Sequence, residues 1–160
     1  GPRLFVVGSR HPVAVGQAER LRARLGSAAA TVTGETDPAA AIAPATRALA
    51  EGRCAAVVFA LPDMPGARAE AIMAAAFAAL AVTPPPAVLV VVGGDTAFRL
   101  CRALGAASLL ALGEWAPGVP LAQIAGGAWD GIRTVTKSGA FADRDVLLRL
   151  LEQPSKDQHA

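Results

Sequence analysis

The stretch "VLVVVGGDTAFRLCRALG", residues 88–105, decides the fold. Its first five residues are aliphatic, two glycines stop them, and an aspartate and a threonine lead into a helical pattern. An apolar run that does not alternate reads as a strand buried on both faces, the habit of parallel sheets. Parallel neighbours need a crossover between them, usually a helix, and "TAFRLCRALG" (96–105) supplies one. "GGDT" (93–96) therefore stands where a buried strand leaves the sheet and a helix begins. Two glycines there let the backbone turn sharply and leave its N–H groups uncovered. The helix adds unsatisfied amides and a positive dipole end. Such a turn can cradle an anion such as phosphate. It can equally be a plain strand exit, with Asp95 or Thr96 capping the helix.

Working outward, the same strand–turn–helix unit recurs. Strands are expected at 3–8, 29–33, 54–61, 86–93, 108–113 and 131–139, and helices at 12–25, 37–52, 66–82, 96–105 and 143–153. Pro12 opens the first helix. Asp37 and Pro38 start the second, Gly52 stops it, and Pro44 should kink it. Residues 114–130, "EWAPGVPLAQIAGGAWD", read as an irregular loop. The expected product is an α/β domain over 1–153: a doubly wound, mostly parallel sheet of about six strands with helices on both faces. Residues 154–160 are expected to fray as a tail. Ligands of such sheets bind beyond the carboxyl ends of the strands, which selects the segments 8–12, 93–96, 113–120 and 137–141.

The chain has 160 residues, of which 53% are hydrophobic and 18% charged, so it can bury a real core and is not of disordered composition. A net charge of +2 on scattered arginines, without interleaved aromatics, argues against nucleic acid. Cys54 and Cys101 lie far apart in apolar segments and are expected as buried free thiols in a reducing cytoplasm. His11 and His159 have no partner at ligand spacing, so no metal site is expected. Pro84, Pro85 and Pro86 break the uncharged stretch 71–94, which argues against a membrane span.

Other strand exits carry chemistry of their own. In "VVGSRHP" (6–12), Ser9 can cap a helix or donate its hydroxyl to phosphate. Neither this stretch nor "GGDT" is a Walker A loop, and the GxGxxG fingerprint is missing. "TKSGAF" (136–141) holds Lys137, one of only two lysines, which is either a solvated strand end or a mobile ammonium beside phosphates. "GEWAPGVP" (113–120) is a stiff loop in which Trp115 either walls a nucleotide pocket or fills a gap in the fold. Trp129 is expected to pack, and Asp63 in "LPDMPG" (61–66) reads as turn chemistry.

In combination, "GSRHPVAVGQAERL", "VVVGGDTAFRLCRALG", "LGEWAPGVPL" and "TVTKSGAFADRDVLLRLL" resemble the nucleotide-binding C-terminal domain of the four-carbon acid sugar kinases, a family that includes D-threonate, D-erythronate and 3-oxo-tetronate kinases. The resemblance runs from about residue 4 to 151, in order. It implies ATP as ligand, with Ser9, the turn from Gly93 through Gly94 and Asp95 to Thr96, and Gly139 at nucleotide-binding positions. Lys137 matches the lysine near the phosphates, and Asp95 would help to hold Mg2+ through water. Gly8, Gly118 and Ser138, from the same motifs, complete the candidate set.

Two departures stand out. His11 replaces a serine of the family, and "KSGAFA" stands for KSGNFG, with Ala140 and Ala142. The acidic sugar-binding N-terminal domain of the family is not in these residues, so the resemblance implies a partner domain that supplies the sugar-acid pocket. A chain of this kind is expected to bind ATP or ADP, to show little kinase activity alone, and to be capable of forming a homodimer. A non-catalytic nucleotide-sensing or interaction module with a kinase-derived fold is the alternative.

Overall fold

The computed structural model describes residues 1–154. Most of the tail expected to fray, residues 155–160, lies outside the described residues. Five parallel strands form the body of the sheet: β1 (Arg3–Val7), β2 (Ala29–Val32), β3 (Ala55–Phe59), β4 (Val88–Val92) and, last in the chain, β7 (Arg133–Lys137). Two more strands, β5 (Ser108–Ala116) and β6 (Val119–Ala125), pair antiparallel as a hairpin, and β6 joins β7 antiparallel. The order across the sheet is β2-β3-β1-β4-β7-β6-β5.

The sheet is thus α/β and mostly parallel, with seven strands where about six were expected. The difference lies in residues 114–130, expected as an irregular loop. Here Pro117 and Gly118 turn the chain, with Gly118 at φ +78°, and it returns as β6. Pro120 is tolerated because β6 pairs with β5 through an irregular ladder, with register shifts between Ala111 and Gly113 and between Glu114 and Ala116.

The helices are α1 (Pro12–Leu25), α2 (Pro38–Ala41), α3 (Ala43–Ala50), α4 (Gly66–Ala81), α5 (Gly94–Ala103) and α6 (Val146–Glu152). The expected kink near Pro44 is a break: Ile42 separates α2 from α3, and the Asp37 carboxylate accepts from Ala40 N at 3.1 Å as the N-cap. Alternate residues of a strand face opposite sides of a sheet, and the cores divide accordingly. Leu4, Val6, Val57, Leu89 and Val91 pack under α3, α4 and α5, together with Ile42, Met73, Phe77 and Leu100. Phe5, Val7, Val58, Val90 and Val92 pack under α1 and α6, together with Leu21 and Leu147. Strands β3 and β4 are buried along their whole length, which is why they read as unbroken apolar runs. Each such valine or leucine contributes about 1.5–3 kcal/mol by leaving water.

β1 and β4 are direct neighbours, yet the helices that follow them lie on opposite faces. The two chains diverge as they leave the sheet and open a crevice between Gly8 and Gly93, the switch point of a doubly wound fold. At the far edge, β5 has no neighbour beyond it, and Ser108 through Glu114 are all exposed, including Leu109, Leu110 and Leu112.

Candidate functional site

The registers bring three strand exits level. Val7 stands beside Val92, and Val92 beside Lys137, so the next residues, Gly8, Gly93 and Ser138, leave the sheet in one row. The ladder continues one step into the exits: Gly8 N donates to Val92 O at 3.2 Å, and Gly93 N to Lys137 O at 2.8 Å.

Missing side chains let these exits close on one another. A Cβ on Gly8 would occupy the position of the Thr96 side chain, which is itself 3% exposed. A Cβ on Gly139 would collide with the Ser9 hydroxyl. Gly93, at φ +109°, takes a backbone conformation that favours glycine, and a Cβ there would stand 3.1 Å from Thr96 Oγ1. Thr96 is thus a packing residue between two exits, and the Ser9–Gly139 contact fastens the last loop to the first.

Gly94 differs. A Cβ there would meet nothing within 4 Å, because its missing side chain points into open space. α5 starts at Gly94 with no side-chain cap, so the N–H groups of Gly94, Asp95 and Thr96 have no partner inside the helix. Neither Asp95 nor Thr96 caps it. The Asp95 carboxylate instead accepts from Arg99 at 2.8 Å, and Arg99 reaches on to Glu70 of α4 at 3.0 Å. Ser9 does not cap a helix directly either. Its hydroxyl accepts from His11 N at 3.2 Å, and His11 caps α1 by accepting from Val13 N through Nδ1.

These groups line a cleft of about 360 Å³, within the size range of small-molecule sites. Gly8, Ser9, Gly93, Gly94, Asp95, Thr96 and Gly139 form its polar floor, while Phe59, Leu61, Pro62 and Met73 form an apolar wall. Gly118, Lys137 and Ser138 do not line it. Gly118 sits at the hairpin turn, with the Phe141 ring packed where its side chain would be. The Lys137 side chain folds back: its ammonium donates to the carbonyls of Ser138, Gly139 and Phe141, and the residue is 3% exposed. Burial pushes that amine below the usual lysine value. Trp115 fills a gap, buried in the core on the α6 side with Nε1 donating to Gln153 at 3.1 Å. Trp129 is buried as expected; the two cysteines are free thiols but half-buried, not buried as their apolar segments suggest.

Three features of the site escaped the sequence reading. Gln17 of α1 is fully buried, and Nε2 donates to the carbonyls of Phe141, Ala142 and Asp143, holding the loop after β7. The signal was a polar residue on the buried stripe of Ala14, Ala18 and Leu21. Arg10, one residue beyond Ser9, also lines the cleft, and its Nη2 meets Asp63 Oδ1 at 3.0 Å. Its place in the exit loop was the available signal. The apolar wall from β3 and α4 had none, because it depends on which strand lies beside β1. A larger groove, of about 560 Å³, runs between α4 and α5 past Glu70, Phe98 and Arg102, and no strand-exit glycine reaches it. Among the described residues, no cluster of three or more His, Cys, Asp or Glu side chains can hold a metal ion, and no helix is long and apolar enough to cross a membrane.

A level row of glycine exits, an uncapped helix and a switch-point cleft belong to an α/β layer with a mostly parallel sheet. The chain belongs to the family of nucleotide-binding C-terminal domains, whose model matches residues 4–147. It is 41% identical to the D-threonate kinase of Bordetella bronchiseptica over 61 residues, 38% of this chain and 15% of that one. A domain of unknown function from the same organism, solved with bound citrate as a domain-swapped dimer, matches with a TM-score of 0.77 and 29% identity, over 94% of this chain and 40% of the other. A Haemophilus influenzae protein shares the fold, with a TM-score of 0.64 and 18% identity, over 91% of this chain and 38% of its own. The resemblance to the four-carbon acid sugar kinases therefore holds, and the chain spans well under half the length of these relatives.

Proposed function

We propose that this chain is the ATP-holding part of a four-carbon acid sugar kinase. The observation that carries the reading is the cleft itself: three strand exits held level and interlocked, with the free amides of α5 at its floor. Amides and a positive helix end suit the phosphates of ATP or ADP, and the wall of Phe59, Leu61 and Met73 suits an apolar part of the nucleotide. Of the carboxylates, Asp95 alone lines the cleft among the described residues. Mg2+ would therefore ride mainly on the phosphates, with Asp95 at its outer shell, and would neutralise charge during phosphoryl transfer.

The sugar acid, and the base that takes its hydroxyl proton, belong in this reading to a separate N-terminal domain. The protein works in the cytoplasm, where ATP and free thiols coexist. Self-association is part of the reading: a relative is a domain-swapped dimer, and the uncovered leucines of β5 offer an edge for pairing.

Calorimetry with ADP and ATP in Mg2+ tests the core of the proposal. The expected outcome is one nucleotide per chain, adenosine binding far more weakly, and no phosphorylation of threonate or erythronate by this chain alone. Equal affinity for ADP and adenosine would remove the phosphate cradle from the reading. Robust turnover would remove the need for a second domain.

A further inference from the structure

A nucleotide's phosphates call for a cation, and the lysine of the last exit does not face the cleft. Its ammonium is taken up by three carbonyls of its own loop. Arg10 is the one positively charged residue that lines the cleft among the described residues. It leaves β1 directly after Ser9, and its guanidinium reaches toward the exit of β3, where Asp63 accepts from Nη2 at 3.0 Å. Asp63 is fully exposed and Arg10 two-thirds exposed. Two solvated charges hold each other weakly and exchange partners readily. A guanidinium presents a planar fork that matches two phosphate oxygens at once, and a doubly charged phosphate attracts it more strongly than a solvated carboxylate does.

We propose that Arg10 is the cation that grips the nucleotide's phosphates, and that Asp63 is its resting partner, displaced when the nucleotide enters. This rests on the nucleotide reading of the cleft. It adds a residue outside the glycine motifs and gives the turn at 61–66 a role in setting affinity. Asp63 competes with the ligand, so the ion pair lowers the affinity of the empty cleft for phosphate and keeps the guanidinium near the mouth.

The test is calorimetry of the 160-residue chain with ADP and with adenosine, at low ionic strength. Arg10→Ala should weaken ADP at least tenfold and leave adenosine unchanged, while Arg10→Lys recovers part of the loss. Asp63→Asn should tighten ADP a few-fold, and that gain should vanish in the Arg10→Ala background. A wild-type chain that binds ADP, with Arg10→Ala binding it equally well, overturns this proposal and leaves the nucleotide reading standing. A wild-type chain that binds no ADP overturns both. Circular dichroism of each variant distinguishes lost contact from lost fold.

Discussion

A methyl group added at Gly8 and one added at Gly94 meet opposite surroundings. At Gly8 it lands on the Thr96 side chain, and at Gly94 it enters open cleft. Gly8→Ala should therefore cost about 1–3 kcal/mol of stability through overpacking. Thr96→Ala in the same chain removes two of the three colliding atoms and should return part of that loss, seen as a coupling of at least about 0.5 kcal/mol in urea unfolding. Gly94→Val should leave the unfolding midpoint near wild type and weaken ADP at least tenfold. An unfolding midpoint that falls with Gly94→Val, or unchanged ADP affinity, would contradict that division of labour. The sequence announced both turns but not their different duties. A glycine's purpose depends on what stands across the sheet, and Thr96 comes near Gly8 only because β1 and β4 are neighbours.

At the scale of elements, the loop after β7 shows what a motif match conceals. Ala142 sits at φ +72°, the one left-handed non-glycine among the described residues, at the position where the related motif has glycine. Its backbone is held there by the Gln17 amide on the carbonyls of Phe141, Ala142 and Asp143 and by the Lys137 ammonium on those of Ser138, Gly139 and, shared with Gln17, Phe141. A left-handed alanine costs about 1–2 kcal/mol, of which the greater entropy of an unfolded glycine offsets about 0.5–1 kcal/mol. Ala142→Gly should thus raise stability by about 0.5–1 kcal/mol in denaturant unfolding, and a loss would mean that the methyl group packs usefully. Strands and helices of the parallel body were legible because burial on both faces leaves an apolar run. The β5–β6 hairpin was legible only in its first half, where 108–113 reads as a strand. The return strand β6 was not, because Pro117, Gly118 and Pro120 break the strand pattern, and the irregular ladder to β5 is what tolerates Pro120.

For the whole molecule, the rule that ligands bind beyond strand ends at a switch point directed attention, from sequence alone, to the edge of the sheet where the cleft of about 360 Å³ lies. The strand order lay beyond reach: nothing local says that the last strand slips between β4 and the hairpin. That order leaves β5 at the rim with Leu109, Leu110 and Leu112 uncovered. Concentration-dependent association is expected in sedimentation velocity, and Leu110→Lys should shift the chain toward the monomer without altering ADP binding. Unchanged sedimentation would show that the rim is inert. The same order has a consequence for biosynthesis. Within the sheet, among the described residues, the hairpin joins the parallel body through β7, so its two strands leave the ribosome before the strand they pair with. Until residues 133–137 emerge, the leucine-rich arm has no strand to pair with in the parallel body, and the seven-stranded sheet is completed only after every other strand has been made.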